Sequence, residues 1–426
     1  MNESFLHYIW QFQYFDRVDL KTQLGELVSI FQTGILNTDA GPDFSQAKIR
    51  IDQIDWVGNV EIHTKASDWL NHKHTGDKAY ENVILHVVWD DDTDIRRADG
   101  TIIPSLRLQG RVDESLIKAY KKLMNDSSAI PCNKSFVGVP NLVKLSMLDK
   151  ALLQRLESKA DTIYQLVKAN HGDWEETTYQ LLAKNFGFKI NSDPLFQLAK
   201  SLPYKFIKKH SSSIQQIEAL LFGQAGMLET KTNDEYLSSL YIEYDFLSKK
   251  YSLHESRLNP SQWKFLRLRP ANFPTLRLAQ FASFLFTHKN LFSTIIEADS
   301  YAKLIEIFST ATSYYWRTHY HFARKAKGIV PVLGESSKQN ILINSIVPLL
   351  AAYSKTRDEY RFMERAIEIL QHLPAENNRI TKMWAELGTS VKSAFDSQAL
   401  IEQYNNECQK RQCLNCVVGA SLLKPA

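Results

Sequence analysis

The spacing of apolar residues changes character about 130 residues along the chain. An apolar stretch at helical spacing comes first, and short segments that alternate apolar and polar residues follow it, as half-buried strands do. Strands are predicted over 27–31, 44–51, 56–65, 82–89 and 102–108. The order of a helix, three strands, a partly helical link and further strands is typical of a mixed α/β sheet domain.

After Pro131 the strand patterns fade and helical periodicity takes over. Helices are predicted over 142–169, 175–186, 214–223, 233–251, 276–286, 301–308, 339–353, 358–372 and 397–409. The sequence therefore predicts an α+β protein, with an α/β domain at 1–130 and a long all-α domain at 131–426.

The composition of the chain also bears on where the protein is located and on how its charge is distributed. No run of about 18 apolar residues occurs, which predicts no membrane span, and the N-terminus lacks the pattern of a secretion signal, so we expect a cytoplasmic protein. The net charge of +4 is unevenly distributed: residues 1–100 hold 17 acidic and 9 basic residues, whereas residues 260–340 hold 4 and 11. An acidic front suits a bound cation, and a basic stretch suits an anionic partner such as nucleic acid or is simply a solvated surface.

A small group of acidic and basic residues marks a candidate catalytic site in the first domain. Pro42-Asp43 precedes the second predicted strand, and Glu61, His63 and Lys65 share one face of the third strand because side chains alternate along a strand. If these strands are neighbours, Asp43 approaches Glu61, and two converging carboxylates suit Mg²⁺ or Mn²⁺. The alternative is that Asp43 only caps a turn and the other residues form a wet strand face.

This arrangement resembles the PD-(D/E)XK nuclease superfamily over roughly the first 110 residues. The resemblance implies a restriction-endonuclease-like core in which Asp43 and Glu61 bind the metal ion while a lysine assists the attacking water. His63 stands at the position of that lysine. Either His63 replaces it, or Lys65 reaches the site from the same face, or the site is inactive.

Three further histidines follow Glu61 in the same part of the chain. They are His72 and His74, in the link after the third strand, and His86, within the fourth. Imidazoles are common ligands of zinc and manganese, so these side chains offer a second metal site beside His63. A histidine in an apolar strand is otherwise a hydrogen-bonded core residue.

The four cysteines form a second constellation. Three lie within nine residues near the C-terminus and the fourth lies between the two predicted domains: Cys408, Cys413, Cys416 and Cys132. Because a cytoplasmic protein keeps its thiols reduced, disulfides are not expected, and four thiols make a ligand set for Zn²⁺ or a 4Fe–4S cluster. Some PD-(D/E)XK nucleases are similar in holding a 4Fe–4S cluster with one distant cysteine and three C-terminal ones. Unrelated buried thiols are the alternative.

Basic and aromatic residues alternate in the middle of the helical half. The candidate nucleic-acid-binding residues are Arg267, Arg269, Arg277, Arg317, Lys325 and Lys327, with Tyr315 and Trp316 among them. Bases can stack on such aromatics while the cations hold phosphates. In the alternative interpretation the aromatics belong to the core and the charges to its rim.

The chain as a whole resembles a bacterial family, found largely in Bacteroidetes, that is defined as a domain of unknown function. The stretches that carry this resemblance are 40–44, 56–63, 269–274 and the C-terminal cysteine segment. The leading hypothesis is a Mg²⁺-dependent nuclease acting on DNA or RNA. The alternatives are an inactive nuclease fold that binds nucleic acid and an interaction protein with a purely structural metal, and the sequence defines no oligomeric state.

Overall fold

The computed structural model describes residues 1–228 and 233–424, and the chain divides into two compact units. One, the sheet unit, comprises Met1–Leu148 and Gln403–Ala426, and the other, the helical unit, comprises Asp149–Glu402. This division differs from the expected boundary at 130/131. The C-terminal segment belongs to the sheet unit because Cys413 and Leu423 are buried in its apolar core.

Helix α1 (Glu3–Phe12) opens the sheet unit. It begins at Asn2, whose side chain accepts a hydrogen bond from the backbone N–H of Phe5, and ends at Gln13 in a left-handed conformation. One face of α1 is fully buried in the main core of the unit and includes Phe5, Leu6, Ile9 and Trp10. The predicted first helix is therefore an amphipathic helix packed on the sheet.

The sheet contains β1 (Val28–Gln32), β2 (Ile35–Leu36), β3 (Phe44–Ile51), β4 (Ile54–Lys65), β5 (Val83–Asp90) and β6 (Ser105–Arg107). Its spatial order is β1-β3-β4-β5-β6, and β2 pairs with the start of β3. The pairs β1–β3 and β3–β4 are antiparallel, whereas β4–β5 and β5–β6 are parallel. The predicted mixed sheet is confirmed, with β4 at the change of direction.

The two faces of β4 meet different surroundings. Val60 and Ile62 point into the main core with α1, whereas Glu61 and His63 point to the opposite face. That face is covered by α2 (Asp68–Asn71), the link after it and a smaller apolar cluster around Trp69. Polar side chains of β4 are thus enclosed between the sheet and a short helical link.

The sheet unit also contains α3 (Glu114–Asn125), α4 (Asn133–Phe136) and, at the C-terminus, α19 (Val417–Leu423). Helix α5 (Asn141–Ala169) begins in the sheet unit and continues into the helical unit. The helical unit adds α6 (Trp174–Phe186), α7 (Ser192–Ser201), α8 (Tyr204–Lys209), α9 (Ile214–Gln224), α10 (Glu235–Tyr251), α11 (Pro274–Thr287), α12 (Leu291–Glu297), α13 (Tyr301–Ile307), α14 (Glu335–Ile341), α15 (Val347–Arg357), α16 (Arg361–His372), α17 (Arg379–Glu386) and α18 (Ala394–Glu402).

The helical half is confirmed as a large helical part of an α+β protein, with one addition. A small hairpin of β7 (His319–His321) and β8 (Arg324–Lys325) interrupts it within the predicted basic stretch. Among the described residues, no helix has both the length and the apolar character needed to cross a membrane.

Candidate functional site

Asp43 and Glu61 lie next to each other because of the register between β3 and β4. Phe44 is paired with Val60, which places the preceding Asp43 opposite Glu61. The backbone N–H of Asp43 donates to Glu61 Oε2 at 3.1 Å, and Asp43 Oδ2 accepts from the backbone N–H of Ile62 at 2.9 Å. The structure brings together these two residues, which the sequence could relate only through an assumed strand pairing.

Burial makes the Glu61 carboxyl group unusual. Glu61 is only 5% exposed. Burial first, and then the negative charge of Asp43, raise the pKa of Glu61 to about 8. Both causes disfavour the ionised carboxylate. A nearby cation would offset both of them and restore the charged form.

Three elements direct imidazoles towards Glu61. His63 follows it on the same face of β4, His86 is paired with Glu61 on the adjacent strand β5, and His72 and His74 come from the link after α2. His63 Nδ1 lies 2.8 Å from His86 Nε2, and His63 Nε2 lies 3.0 Å from His72 Nδ1. Glu61 Oε1 lies 3.6 Å from His63 Nε2 and 3.4 Å from His74 Nε2.

Among the residues that the structure describes, one group of three metal-ligating side chains has all its ligand atoms within 4.8 Å of one another: His63, His72 and His74. Tetrahedral sites with metal–nitrogen distances of about 2.0–2.1 Å place neighbouring ligand atoms about 3.3 Å apart. The distances of 3.0, 3.4 and 3.6 Å within the cluster bracket this value. The 3.0 Å distance joins the imidazoles of His63 and His72, and the other two join Glu61 to His74 and to His63. These four side chains are therefore close enough to share a single small divalent ion.

Lowered pKa values favour the neutral imidazole in three of the histidines. Burial, followed by neighbouring histidines, lowers the pKa of His63 and of His86 to about 3, and burial also lowers the pKa of His74. Neutral imidazoles keep the lone pair that a metal requires. His74 Nε2 is buried and has no hydrogen-bond partner among the described residues. Leaving a buried nitrogen without a hydrogen bond costs free energy, and a bound metal ion would remove this cost.

Two site residues, Glu3 and His7 of α1, were not predicted. His7 Nε2 lies 3.2 Å from Asp43 Oδ2. The pKa of Glu3 is raised first by burial, and the charges of His72, Asp43 and His7 also act on it. The available sequence signal was a pair of ionisable residues four apart in an otherwise apolar helix, which places both on one face.

His7 also lies in the wall of a cavity of about 400 Å³ within the sheet unit. Tyr8 and Gln11 of α1 line this cavity, and Lys410 and Arg411 line it from the C-terminal segment. Asp43 and His7 are about one-fifth exposed, whereas Glu61 and His63 are almost fully buried. The accessible members of the site are therefore Asp43, His7 and the exposed His72.

Lys65 and Tyr80 occupy different positions relative to the cluster. Lys65 is exposed at the end of β4, and its charge acts on Asp92. Tyr80 stacks on His74 with ring centroids 3.8 Å apart, and the pKa of Tyr80 is raised to about 12, first by burial and then by Glu61. Of these two side chains, Tyr80 is the one that contacts the cluster.

All four cysteines belong to the sheet unit, and none forms a disulfide. Burial comes first in raising the pKa of every thiol, to about 12 for Cys132 and about 11 for Cys413, and neighbouring thiols contribute to the shifts of Cys132, Cys408 and Cys413. Gln403 Nε2 donates to Cys416 Sγ at 3.1 Å. The fold thus brings Cys132 near the three C-terminal thiols, which is the condition for a shared cofactor.

The predicted nucleic-acid-binding residues of the helical unit separate into two classes. The exposed ones are Arg267, Arg269, Arg317, Lys325 and Lys327, whereas Arg277 is buried. Trp316 is fully buried, and Tyr315 stacks on Tyr236 with centroids 4.0 Å apart. Trp316 is therefore a core residue, and the half-buried Tyr315 also stacks on His319, with centroids 3.9 Å apart, so neither aromatic offers a free ring face for stacking bases.

Comparison with known proteins identifies a family for this chain. No curated protein and no solved structure matches the chain. The family model described as protein of unknown function (DUF2851) matches residues 3–379, a range that includes the histidine cluster and Arg277 but ends before the last three cysteines. Because the match covers nearly the whole chain, this protein belongs to the DUF2851 family.

Proposed function

We propose that the protein is a divalent-metal-dependent hydrolase of phosphodiester bonds in DNA or RNA, with a sheet unit related to the PD-(D/E)XK nucleases. One observation carries this proposal: Glu61, next to Asp43, lies 3.4 Å from Nε2 of the half-buried His74 and 3.6 Å from Nε2 of the buried His63. Closely spaced carboxylates and imidazoles with shifted pKa values are typical of catalytic centres.

The donor set narrows the choice of ion. The nuclease resemblance implies Mg²⁺ or Mn²⁺ at Asp43 and Glu61, but Mg²⁺ prefers oxygen ligands and rarely takes imidazole. His63, His72 and His74 favour an ion that accepts nitrogen, so Mn²⁺ or Zn²⁺ fits this chain better than Mg²⁺. Three protein ligands leave a further position for water or substrate, as in catalytic zinc sites.

Each neighbouring side chain has a role that follows from its position. A divalent ion in the cluster would polarise the phosphodiester and activate a water molecule. Glu61, adjacent to His63 and His74, can accept the proton of that water. Asp43 holds the His7 ring at 3.2 Å, and His7 faces the cavity, where it can deliver a proton to the leaving oxygen.

The cavity supports an anionic substrate. Lys410 and Arg411 line it together with His7, and cations placed beside a reacting phosphate stabilise its negative charge. His63, in place of the usual lysine, acts here as a ligand rather than as a cation. Its pKa of about 3 keeps it uncharged, so the positive charge near the substrate comes from the ion and from the cavity wall.

The test is hydrolysis by metal-depleted protein that is reloaded separately with Mn²⁺, Zn²⁺ and Mg²⁺. Substrates are single- and double-stranded DNA and RNA, plus a chromogenic phosphodiester. Wild type is compared with Glu61→Gln and His63→Ala, and Asp55→Asn is the matched control because Asp55 is an exposed carboxylate on the same strand. Cleavage by wild type and by the control, but by neither site variant, is expected. Equal cleavage by all four proteins, or by none, would contradict the proposal.

A structural metal is the second candidate, and one observation favours it. Glu61 and His63 are 5% and 1% exposed, and closed sites with four protein ligands are typical of structural zinc. In that case the protein binds one ion per chain and loses the sheet unit on chelation, but it cleaves nothing. Metal analysis and circular dichroism, done on the samples used for the hydrolysis test, separate the two candidates.

We also propose that Cys132, Cys408, Cys413 and Cys416 hold one cofactor, either Zn²⁺ or a 4Fe–4S cluster. Thiolates on one tetrahedral zinc are about 3.8 Å apart. Among the described residues the thiols do not form a group with all sulfurs within 4.8 Å, which favours the larger cluster. Anaerobically purified protein is expected to show visible absorbance and four iron atoms per chain, both lost in Cys413→Ser; zinc without colour would select the other cofactor.

A further inference from the structure

Arg277 is a buried cation without a buried anion. It begins the second turn of α11 and is 6% exposed, yet its three hydrogen bonds go to the neutral side chains of Gln280, Asn272 and Ser337 at 2.9, 2.6 and 3.2 Å. Phe188 lies against the guanidinium, 4.3 Å from ring centroid to Cζ. Burying a charge in this way is costly unless an opposite charge compensates it.

Two other cations of the helical unit, the half-buried Arg155 and the buried Lys338, are paired with carboxylates. Arg155 meets the carboxylate of Glu402 at 3.2 Å, and the Lys338 amine meets Glu335 at 2.7 Å. Arg277 has no such pair, and its Nε–H has no hydrogen-bond partner among the described residues. Burial alone lowers the pKa of Arg277, to about 10, which agrees with the absence of a nearby carboxylate.

A cavity of about 310 Å³ gives access to this cation. Arg277 lines it, and the other polar side chains around it are those of Lys189, Asn191, Asn272, Ser336, Ser337 and Asn340. None of the described residues that line the cavity is acidic, so it carries two positive charges and several neutral hydrogen-bonding groups. Its volume is at the lower end of small-molecule sites.

We infer that this cavity binds a phosphomonoester, whose phosphate is held by Arg277 and Lys189. Guanidinium forks recognise phosphate and carboxylate oxygens, and the two cations match the phosphate better because a phosphomonoester carries about −1.5 to −2 charges at neutral pH. A terminal phosphate can enter a cavity with a buried guanidinium, whereas an internal phosphodiester is flanked by two sugars. The ligand is therefore a free phosphorylated metabolite, a mononucleotide or the phosphorylated end of a strand. This inference does not depend on the metal-centred activity.

The proposal is tested by calorimetric titration of the full-length protein with its metals bound, and His63→Ala is titrated beside wild type to identify any phosphate binding at the histidine cluster. The probes are inorganic phosphate, a mononucleotide, and a short oligonucleotide with and without a 5′-phosphate. Saturable binding of one phosphate per chain is expected, and the phosphorylated probe that binds most tightly identifies the source. Binding of the unphosphorylated oligonucleotide as tight as that of the phosphorylated one, or no binding of any probe, would overturn the inference.

Two variants assign the binding to this cavity. Arg277→Met is expected to weaken phosphate binding by at least about 30-fold, as expected when one partner of a buried charge pair is removed. Lys189→Ala alters an exposed residue, keeps the fold and should weaken binding by roughly two- to fivefold. Unchanged affinity in Arg277→Met refutes the site.

A matched arginine distinguishes a ligand-binding role from a structural one. Arg365 is also partly buried, but it donates to the carbonyl oxygens of Ile295 and Ile296 at 3.0 and 2.8 Å. Arg365→Met is expected to lower the melting temperature and leave phosphate affinity unchanged. Arg277→Met without phosphate is expected to melt no lower than wild type, because it removes an uncompensated charge. A large loss of stability in Arg277→Met, together with no phosphate binding by wild type, would make Arg277 structural.

Discussion

The histidine cluster of the sheet unit and the Arg277 cavity of the helical unit are opposite cases of the same problem. In the cluster, imidazoles and carboxylates bring lone pairs together, and His74 Nε2 lacks a hydrogen-bond partner among the described residues. In the cavity, a guanidinium brings N–H donors and a charge without a carboxylate. The comparison shows that a buried group without a complementary partner indicates the charge of its ligand. Unshared lone pairs in the first region indicate a cation, and the unpaired guanidinium in the second indicates an anion.

Glu218 shows what a buried ionisable group without a ligand role looks like in this chain. It is 1% exposed, and its two carboxyl oxygens accept from Ser313 Oγ at 2.7 Å and from Tyr236 O–H at 2.8 Å. Every acceptor atom is used by a side chain of the same unit. The difference between this residue and the two candidate sites is the basis of the predictions that follow.

The largest effect is expected from removing a ligand of the cluster. His74→Ala should abolish binding of Mn²⁺ or Zn²⁺ at this centre and reduce phosphodiester hydrolysis by roughly 10³-fold or more, because the charge-stabilising ion is lost. Bound metal is measured by mass spectrometry of the desalted protein, and rates are measured at saturating Mn²⁺. Retention of as much Mn²⁺ as wild type in this variant would remove the cluster from the comparison.

Glu218→Gln tests whether folding keeps the buried Glu218 carboxyl group protonated, through the pH dependence of the free energy of unfolding. The folded pKa of Glu218, about 7, lies above its ordinary value of 4.5 because of burial, so folding favours the protonated form. That stabilisation is fully present below pH 4.5 and is lost as the pH rises through 7. The variant cannot ionise, so its free energy of unfolding should gain on the order of 3 kcal/mol relative to wild type between pH 4.5 and 7.

Urea denaturation at several pH values measures this gain. A constant difference between wild type and Glu218→Gln across the range would show that Glu218 titrates normally. It would then no longer serve as the example of a buried carboxyl group that folding keeps neutral.

A smaller effect is expected from a residue that supports the ligands. His86 Nε2 lies 2.8 Å from His63 Nδ1 and orients that ring. His86→Leu should weaken metal affinity by about 10- to 100-fold and leave the stoichiometry at one, as is usual for residues behind a metal ligand. His288→Leu is the control, because His288 is partly buried and its Nε2–H donates to the Ile307 carbonyl oxygen, outside this centre. Equal affinity in the two variants would contradict the positioning role of His86.

The smallest effect is expected from Lys65→Ala. Lys65 is exposed and interacts with Asp92, so its loss should change the hydrolysis rate by less than about twofold, the range of ordinary surface substitutions. Rates with the chromogenic phosphodiester at saturating Mn²⁺ measure this. A drop of the size expected for His74→Ala would mean that Lys65, rather than a histidine, replaces the missing nuclease lysine.

Periodicity was sufficient to predict the elements that surround the site. Strand alternation placed Glu61 and His63 on one face of β4, since the side-chain period of a strand is local and independent of the rest of the chain. The apolar run of β5 predicted a covered central strand, and the structure confirms it as an inner strand of the mixed sheet. These are properties of short segments, which sequence patterns report directly.

The sequence by itself determined the α+β architecture, the shared face of Glu61 and His63, and the grouping of three cysteines. Only the tertiary structure decided that Asp43 faces Glu61, that Glu3 and His7 of α1 join them, and that Cys132 lies near the C-terminal thiols. Only it separated Arg277 from the exposed arginines of the same segment. Local spacing fixes the direction of a side chain within its own element, whereas burial and partners depend on residues that are distant in the sequence and meet only when the chain folds.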